Sequence, residues 1–315
     1  MAFEGLDPVV NVEESVSMGR EPEVVVTEDG SLSMRDEATG ELFHNRAGAY
    51  TEALKNYAQP TDLTMWSKRQ SSLRVLDVCF GLGYNTFVIL DEIMFGECSL
   101  EKLSITALEI EQAPLRLIAR VLADQRFARL AETLAKEFPR LLAGEFGCSS
   151  FAVKDRLRTL EVEVDVRQAD LRTAVPELVK ESGDRYDVIF HDPFSPKRVP
   201  ELWTVDLFKC YWSLLTKPCG RVLTYSSATA VRAAFVEAGF DVWRTTAVGG
   251  KSGGTLAVLG DCDPPGQFAL PLSSEERAKM LTGSGCPYRD PNFNDSRTAI
   301  VNRRHEELSK QGAIR

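Results

Sequence analysis

Arg74-Val75-Leu76-Asp77-Val78-Cys79-Phe80-Gly81-Leu82-Gly83-Tyr84-Asn85 is an apolar run that stops at two glycines one residue apart. The run predicts a buried strand. The glycines predict a turn in which the backbone takes left-handed dihedrals and a ligand comes close to the main chain. The apolar stretch from Phe87 to Ile93 then reads as the following helix, its first turn facing that ligand. Strand, glycine turn and helix in this order form the floor of a nucleotide or cofactor site.

Outward from this floor the sequence alternates. Further strands are predicted over 103–108, 162–166, 186–190, 221–225, 241–245 and 256–259, and helices over 114–142, 174–181, 205–215 and 231–238. The alternation implies an α/β, Rossmann-like fold with a largely parallel sheet covered on both faces. Ahead of it, short strands over 24–27, 31–35 and 41–44, the first two joined at Asp29-Gly30, predict a small N-terminal antiparallel β meander. A helix over 48–57, ended by Pro60, follows. After 261 the chain turns rich in Pro, Gly and polar residues, with one helix over 273–281 carrying a capping box at Ser273 and Glu276. The expected organisation is an acidic leader (1–22), the meander and helix (23–60), the main domain (61–262) and a C-terminal extension (263–315). The extension is expected to be a solvated tail, with an RNA-contacting appendage as the alternative.

In the 315 residues, 43% are apolar and 26% charged, without an apolar run long enough to span a bilayer, which argues against a membrane protein. The N-terminus carries Glu4, Asp7, Glu13 and Glu14 where a secretory signal needs basic and then apolar residues, so a cytoplasmic address is expected. Seven scattered cysteines, with no close Cys pair and three histidines, predict reduced thiols and neither a zinc site nor a disulfide framework. The net charge of -9 is concentrated at the start, where Glu4, Asp7, Glu13, Glu14, Glu21, Glu23, Glu28 and Asp29 face only Arg20. The nearly neutral remainder leaves room for a local basic face.

Dinucleotide enzymes place a third glycine where this chain has Thr86, and that departure weakens a hydride-transfer reading. With Asp77 inside the strand, the block instead resembles the first motif of S-adenosylmethionine-dependent methyltransferases. Three further acids follow at strand ends, where ligands of open parallel sheets lie. Glu109, with Glu111 as its rival, would accept the ribose hydroxyls; Asp170 would face the adenine amino group; Asp192 would stand beside the transferable methyl. His191-Asp192-Pro193-Phe194-Ser195-Pro196 is similar to the acid-Pro-Pro-aromatic motif of methyltransferases that act on amino groups. In that motif the carboxylate and a backbone carbonyl accept the amine's hydrogens and the ring stacks on the base.

The longer block from Asp192 to Phe208, with Pro200, Trp203, Thr204 and Leu207 at fixed intervals, resembles the signature of the MnmC-type tRNA methyltransferase domain. Phe80-Gly81-Leu82-Gly83-Tyr84-Asn85, Gly48-Ala49-Tyr50-Thr51-Glu52, Thr224-Tyr225-Ser226-Ser227-Ala228, Glu237-Ala238-Gly239-Phe240 and Gly250-Lys251 are similar to its other elements, in order. The resemblance covers roughly residues 24 to 260. Pro193 stands where the family has glycine, and Ser252-Gly253 where it has Arg-Glu.

The resemblance implies a class I S-adenosylmethionine-dependent fold and N-methylation of 5-aminomethyl-2-thiouridine at the tRNA wobble position. It implies Asp192 and Phe194 as the catalytic pair, and Phe80, Gly81, Gly83, Asn85, Glu109, Asp170 and Asp192 as the cofactor set. Tyr50, Glu52, Pro193, Lys197, Arg198 and Lys251 would contact the substrate. No metal is expected. The chain is too short for the flavin-dependent oxidase domain of bifunctional members, so a stand-alone methyltransferase supplied by an upstream enzyme is expected. The alternatives are transfer of a methyl or aminopropyl-type group to a small amine, and a non-catalytic RNA-binding module.

Overall fold

Val24–Val26 (β1) and Leu32–Met34 (β2) pair antiparallel, Val24 opposite Met34, ahead of the main sheet. The structure, a computed structural model, describes residues 23–154, 158–181, 186–247, 253–260, 262 and 267–313; the expected leader and Lys251 lie outside them. Asp29 organises the hairpin turn. Its carboxylate accepts from Ser31 N at 2.9 Å and from Thr51 N and Oγ1 at 3.0 and 2.7 Å, tying the hairpin to the next helix. Burial opposes its ionisation, yet these hydrogen bonds hold Asp29 well below the usual carboxylate range. The expected third strand is a single bridge, Arg35 to Leu42, because the next residues turn away over a cavity.

Ala49–Ala53 (α1) runs through a π-helical turn, Leu54–Ala58, into Gln59–Thr61 (α2). Pro60 does not end this run. Gln59 N bonds Leu54 O, five residues back, so the ladder widens just before the proline and accommodates its ring. Asp62, in the left-handed region at φ 57°, ends it and caps Leu63–Arg69 (α3), a helix the sequence reading lacked.

The main unit then reads Ser72–Val78 (β3), Tyr84–Phe95 (α4), Lys102–Glu109 (β4), Ile118–Leu122 (α5), Ala128–Glu137 (α6), Pro139–Leu142 (α7), Gly147–Lys154 (β5), Thr159–Gln168 (β6), Leu171–Lys180 (α8), Val188–His191 (β7), Val205–Leu214 (α9), Arg221–Thr224 (β8), Thr229–Glu237 (α10), Asp241–Thr245 (β9), Thr255–Val258 (β10) and Ala269–Pro271 (β11). Among the described residues one nine-stranded sheet forms, in the order β11-β9-β10-β8-β7-β3-β4-β6-β5. The five strands from β6 to β8 are parallel, while β5, β10 and β11 pair antiparallel. Strand order reverses at β3, between β4 and β7, which places a crevice at the carboxyl ends of these three strands.

Both faces are covered. Phe87, Ile89, Leu130 and Leu134 of α4 and α6 belong to one core with Val75, Ile105 and Val164. Val175, Phe208 and Phe235 of α8, α9 and α10 belong to the other with Leu76, Ile189 and Val222, and the rings of Phe208 and Phe235 stack at 3.9 Å. The helix expected over 114–142 is interrupted at Asp124, whose carboxylate accepts from Arg126 N at 2.9 Å and starts a new turn. The edge strand β5 was not expected: in Gly-Cys-Ser-Ser-Phe-Ala-Val-Lys only Phe151 is buried, so its hydrophobic alternation is weak.

The extension is not a free tail. Ser274–Met280 (α11) carries the expected capping box. Arg297–Ala313 (α12), unforeseen, is tied to the segment before it: Arg289 bonds both Glu237 and Glu307, and Arg303 of α12 bonds Asp295. Cys219 and Cys262, expected as thiols, form a disulfide with Cα atoms 5.2 Å apart. Hairpin-like return of β10 beside β8 brings these distant positions together. No helix among the described residues is long and apolar enough to cross a membrane.

Candidate active site

The turn after β3 takes the predicted backbone. Cys79, Gly81 and Gly83 lie at φ 63°, 56° and 82°. A Cβ on Gly83 would sit 2.6 Å from the Phe87 ring, so both conformation and space require glycine there. Gly81 N donates to Glu109 Oε2 at 2.8 Å, and Glu109 Oε1 accepts from Ile110 N and Glu111 N at 2.8 and 2.9 Å. Glu109 thus ties the end of β4 to the glycine turn. Burial, which these bonds oppose, raises its pKa. Thr86, in place of a third glycine, donates to Asp77 Oδ2 at 2.7 Å. Asp77 is fully buried, its Oδ1 has no partner among the described residues, and burial pushes its pKa well up.

Asp192, just past β7, receives two side-chain donors. Tyr57 Oη donates to Oδ1 at 2.6 Å and Asn85 Nδ2 to Oδ2 at 2.8 Å. Burial raises Asp192 to about 6 against the lowering effect of both bonds. Tyr57 itself accepts from Tyr225 N at 3.3 Å and is fully buried; burial and Asp192 push its pKa well above the usual value, so it stays a donor. The following loop is fixed by its own sequence. Trp203 Nε1 donates to Phe194 O at 2.8 Å, Tyr225 Oη to Pro193 O at 2.9 Å, and Thr204 caps α9 by accepting from Leu207 N at 3.3 Å. His191 lies buried against Trp203 and Tyr211, and burial lowers it to about 3, leaving it neutral.

Asp192 lines a cavity of about 690 Å³. The meander side roofs it. Phe43 meets Phe194 edge-to-face at 5.0 Å, while Glu41 accepts from Ser195 N and Oγ at 2.9 and 2.6 Å. Asp36, Glu41, Glu52, Glu109, Glu111 and Asp192 line the cavity, with Arg46 as the opposing guanidinium. Such a lining favours a cationic guest. A smaller slot of about 180 Å³ is lined by Asp170, Arg172 and Glu201 and shares Cys79, Glu109, Ile110 and Leu202 with the cavity. Its apolar Ile110 and Leu202, with Asp170 at one end, suit a flat aminated ring. Another hollow, about 230 Å³ and lined by Arg74, Lys102, Glu163 and Asp165, contains none of the expected site residues.

The structure brings Glu52, Glu109, Asp192, Pro193 and Phe194 into the cavity lining, with Gly81 and Gly83 in the turn beneath. Asp170 lines the slot and caps α8, accepting from Arg172 N at 2.8 Å. Other expected residues lie outside the cavity lining. Tyr50 faces away, its ring 5.4 Å from that of Phe127 and under the Arg126 guanidinium at 4.4 Å. Phe80 is a core ring against Phe87, and Asn85 spends its amide on Asp192. Lys197 and Arg198 are exposed and outside the lining; Arg198 reaches Glu41 at 3.8 Å. Glu111, exposed, lines the cavity but not the slot, whereas Glu109 lines both. Tyr57, Tyr225, Phe43 and Glu41 were missed as site residues.

Among the described residues no group of three or more His, Cys, Asp and Glu could hold a metal ion. The orphaned Asp77 oxygen, the glycine cradle and the acidic lining fit a cofactor carrying a sulfonium and an ammonium. The comparisons agree. A family profile described as S-adenosyl-L-methionine-dependent methyltransferase matches residues 126–260. An uncharacterized protein of Methanocaldococcus jannaschii is 29% identical over 287 residues, covering 91% of this chain and 72% of that protein. The tRNA 5-methylaminomethyl-2-thiouridine biosynthesis bifunctional protein MnmC of Paraburkholderia xenovorans is 26% identical over 262 residues, 78% of this chain but 36% of that protein. The crystal structure of MNMC2 from Aquifex aeolicus superposes with a TM-score of 0.72 at 26% identity, covering 93% of this chain and 87% of the other. Residues 126–260 thus match an S-adenosyl-L-methionine-dependent methyltransferase domain, and the chain as a whole is similar in sequence and fold to the MnmC-type methyltransferase domain.

Proposed function

We propose that the protein N-methylates the 5-aminomethyl group of (2-thio)uridine at the wobble position of tRNA, in the cytoplasm, on substrate supplied by an upstream enzyme. The observation that carries this reading is Asp192, held by Tyr57 and Asn85 at the junction of the glycine turn and the Phe43–Phe194 wall. Gly81, Gly83 and Glu109 hold the methionine and ribose parts of the cofactor, and Asp170 the adenine. When bound, S-adenosylmethionine supplies an electrophilic methyl on a sulfonium and departs as a neutral thioether.

The residues prepare the amine. Asp192 takes one proton from the bound alkylammonium and holds the neutral nitrogen with its lone pair aimed at the methyl; the secondary ammonium formed with the new C–N bond keeps its remaining protons. Being raised to about 6, Asp192 remains mostly ionised at neutral pH. The acidic lining draws in the alkylammonium form, so deprotonation has to occur in place. Phe194 and Phe43 provide aromatic surfaces for the base, and Arg46, Lys197, Arg198 and Lys251 contact phosphates.

The six carboxylates of the lining also favour a second reading, a small free amine as acceptor. Transfer of labelled methyl to tRNA carrying the aminomethyl nucleoside, but not to free amines, supports the first; labelling of free amines alone supports the second.

A further inference from the structure

The slot between β4 and α8 is backed by the C-terminal extension. Two of its lining side chains, Arg172 and Glu201, are gripped by residues 290–297. Arg172 Nη1 donates to Oδ2 of fully buried Asp290 at 3.1 Å and to Asp295 O at 2.9 Å. Asp290 is itself fixed: Oδ1 accepts from Asn294 N and Asp295 N at 3.2 and 3.1 Å, and its N–H donates to Asp206 Oδ2 at 2.7 Å. Arg297, at the start of α12, makes a two-pronged contact to Glu201 at 2.8 and 3.3 Å. Bidentate and charge-assisted bonds of this kind fix direction as well as distance.

We propose that segment 290–297 is a brace that sets affinity for the adenine end of the cofactor. It holds the Arg172 guanidinium and the Glu201 carboxylate against the slot wall, so that neither folds into the space between Ile110 and Leu202. This rests on reading the slot as the adenine site. Asp290 and Arg297 are positioning residues, acting through Arg172 and Glu201; neither lines the cavity that holds Asp192.

Calorimetric titration of the full chain with S-adenosylmethionine, and with 5′-methylthioadenosine as the adenosine end alone, tests the brace. Asp290→Asn should weaken both ligands about tenfold and Arg297→Ala about threefold. The KM for the cofactor should rise in step while kcat and the acceptor KM hold. Arg297→Lys should recover part of the loss. Lys279→Ala, which removes an exposed ion pair on α11, should change nothing. Because Asp290 is buried, a folding failure of its variant leaves the decision to Arg297, which is half exposed. Wild-type affinity in Arg297→Ala, with only a lowered Tm, would overturn the brace. Unchanged affinity in Asp170→Ala would instead overturn the reading of the slot.

Discussion

The phenol of Tyr57 donates to Asp192 Oδ1 across 2.6 Å, joining a π-helical turn to a loop 135 residues later in the chain. Tyr57 also accepts the Tyr225 N–H, so its hydroxyl is pinned from both sides and its proton points at the carboxylate. This bond and that of Asn85 favour the charged form of Asp192, which burial disfavours. The balance leaves a carboxylate that ionises close to the range in which it must work.

Activity should therefore rise with pH through about 6 as Asp192 ionises. Tyr57→Phe removes one bond to the charged form, so the rising limb should move to higher pH by about one unit. A pH profile of kcat/KM measures it; an unmoved limb would show that Tyr57 only packs.

Asp192→Asn keeps the shape but leaves one acceptor oxygen for the two donors Tyr57 and Asn85, and it cannot accept the proton. Turnover should drop about 100-fold or more, with cofactor affinity nearly intact. Single-turnover kinetics beside a cofactor titration separate the two; lost affinity with unchanged turnover per bound cofactor would reassign the residue.

Gly83→Ala adds a Cβ that meets Phe87 and Phe80 on a backbone at φ 82°. The expected cost is roughly 2–5 kcal/mol, with weakened cofactor binding. Gly40→Ala, at φ 72° but with open space around it, should cost only about 1–2 kcal/mol. Denaturant unfolding of the two variants isolates the packing effect.

His191 is buried neutral and lowered to about 3, whereas the unfolded chain titrates near 6.5. Between those values the unfolded state binds more protons, so this residue's contribution is full above 6.5 and is lost as pH falls. At pH 5 the loss is about 2 kcal/mol. Asp77 and Asp192, both raised, act in the opposite sense, so the test is a difference. His191→Phe, set in the same aromatic surroundings, should lose less stability between pH 7 and pH 5 than the wild type.

Much of this was legible in the sequence where one physical demand singled out one residue type. Gly81 and Gly83 announce a turn, the apolar run before them announces a central strand, and acids at strand ends announce the ligand edge. Trp203 and Thr204 belong to the motif because one anchors the Phe194 carbonyl and the other caps α9. Tyr57 was illegible because a buried helix tyrosine looks the same whether it packs or donates to a carboxylate brought near by the fold. Tyr50 misled for the converse reason: its spacing on the helix is right, but it lies on the Phe127 side. The extension was hidden because its order comes from ion pairs such as Arg289 with Glu237 and Glu307, which leave no hydrophobic periodicity.

The most direct test of the central claim is nucleoside mass spectrometry of tRNA verified to carry 5-aminomethyl-2-thiouridine, after incubation with the protein and S-adenosylmethionine. The account predicts that this nucleoside gains one methyl with wild type and not with Asp192→Asn. An unchanged nucleoside after incubation with wild-type protein shown to bind the cofactor would contradict it.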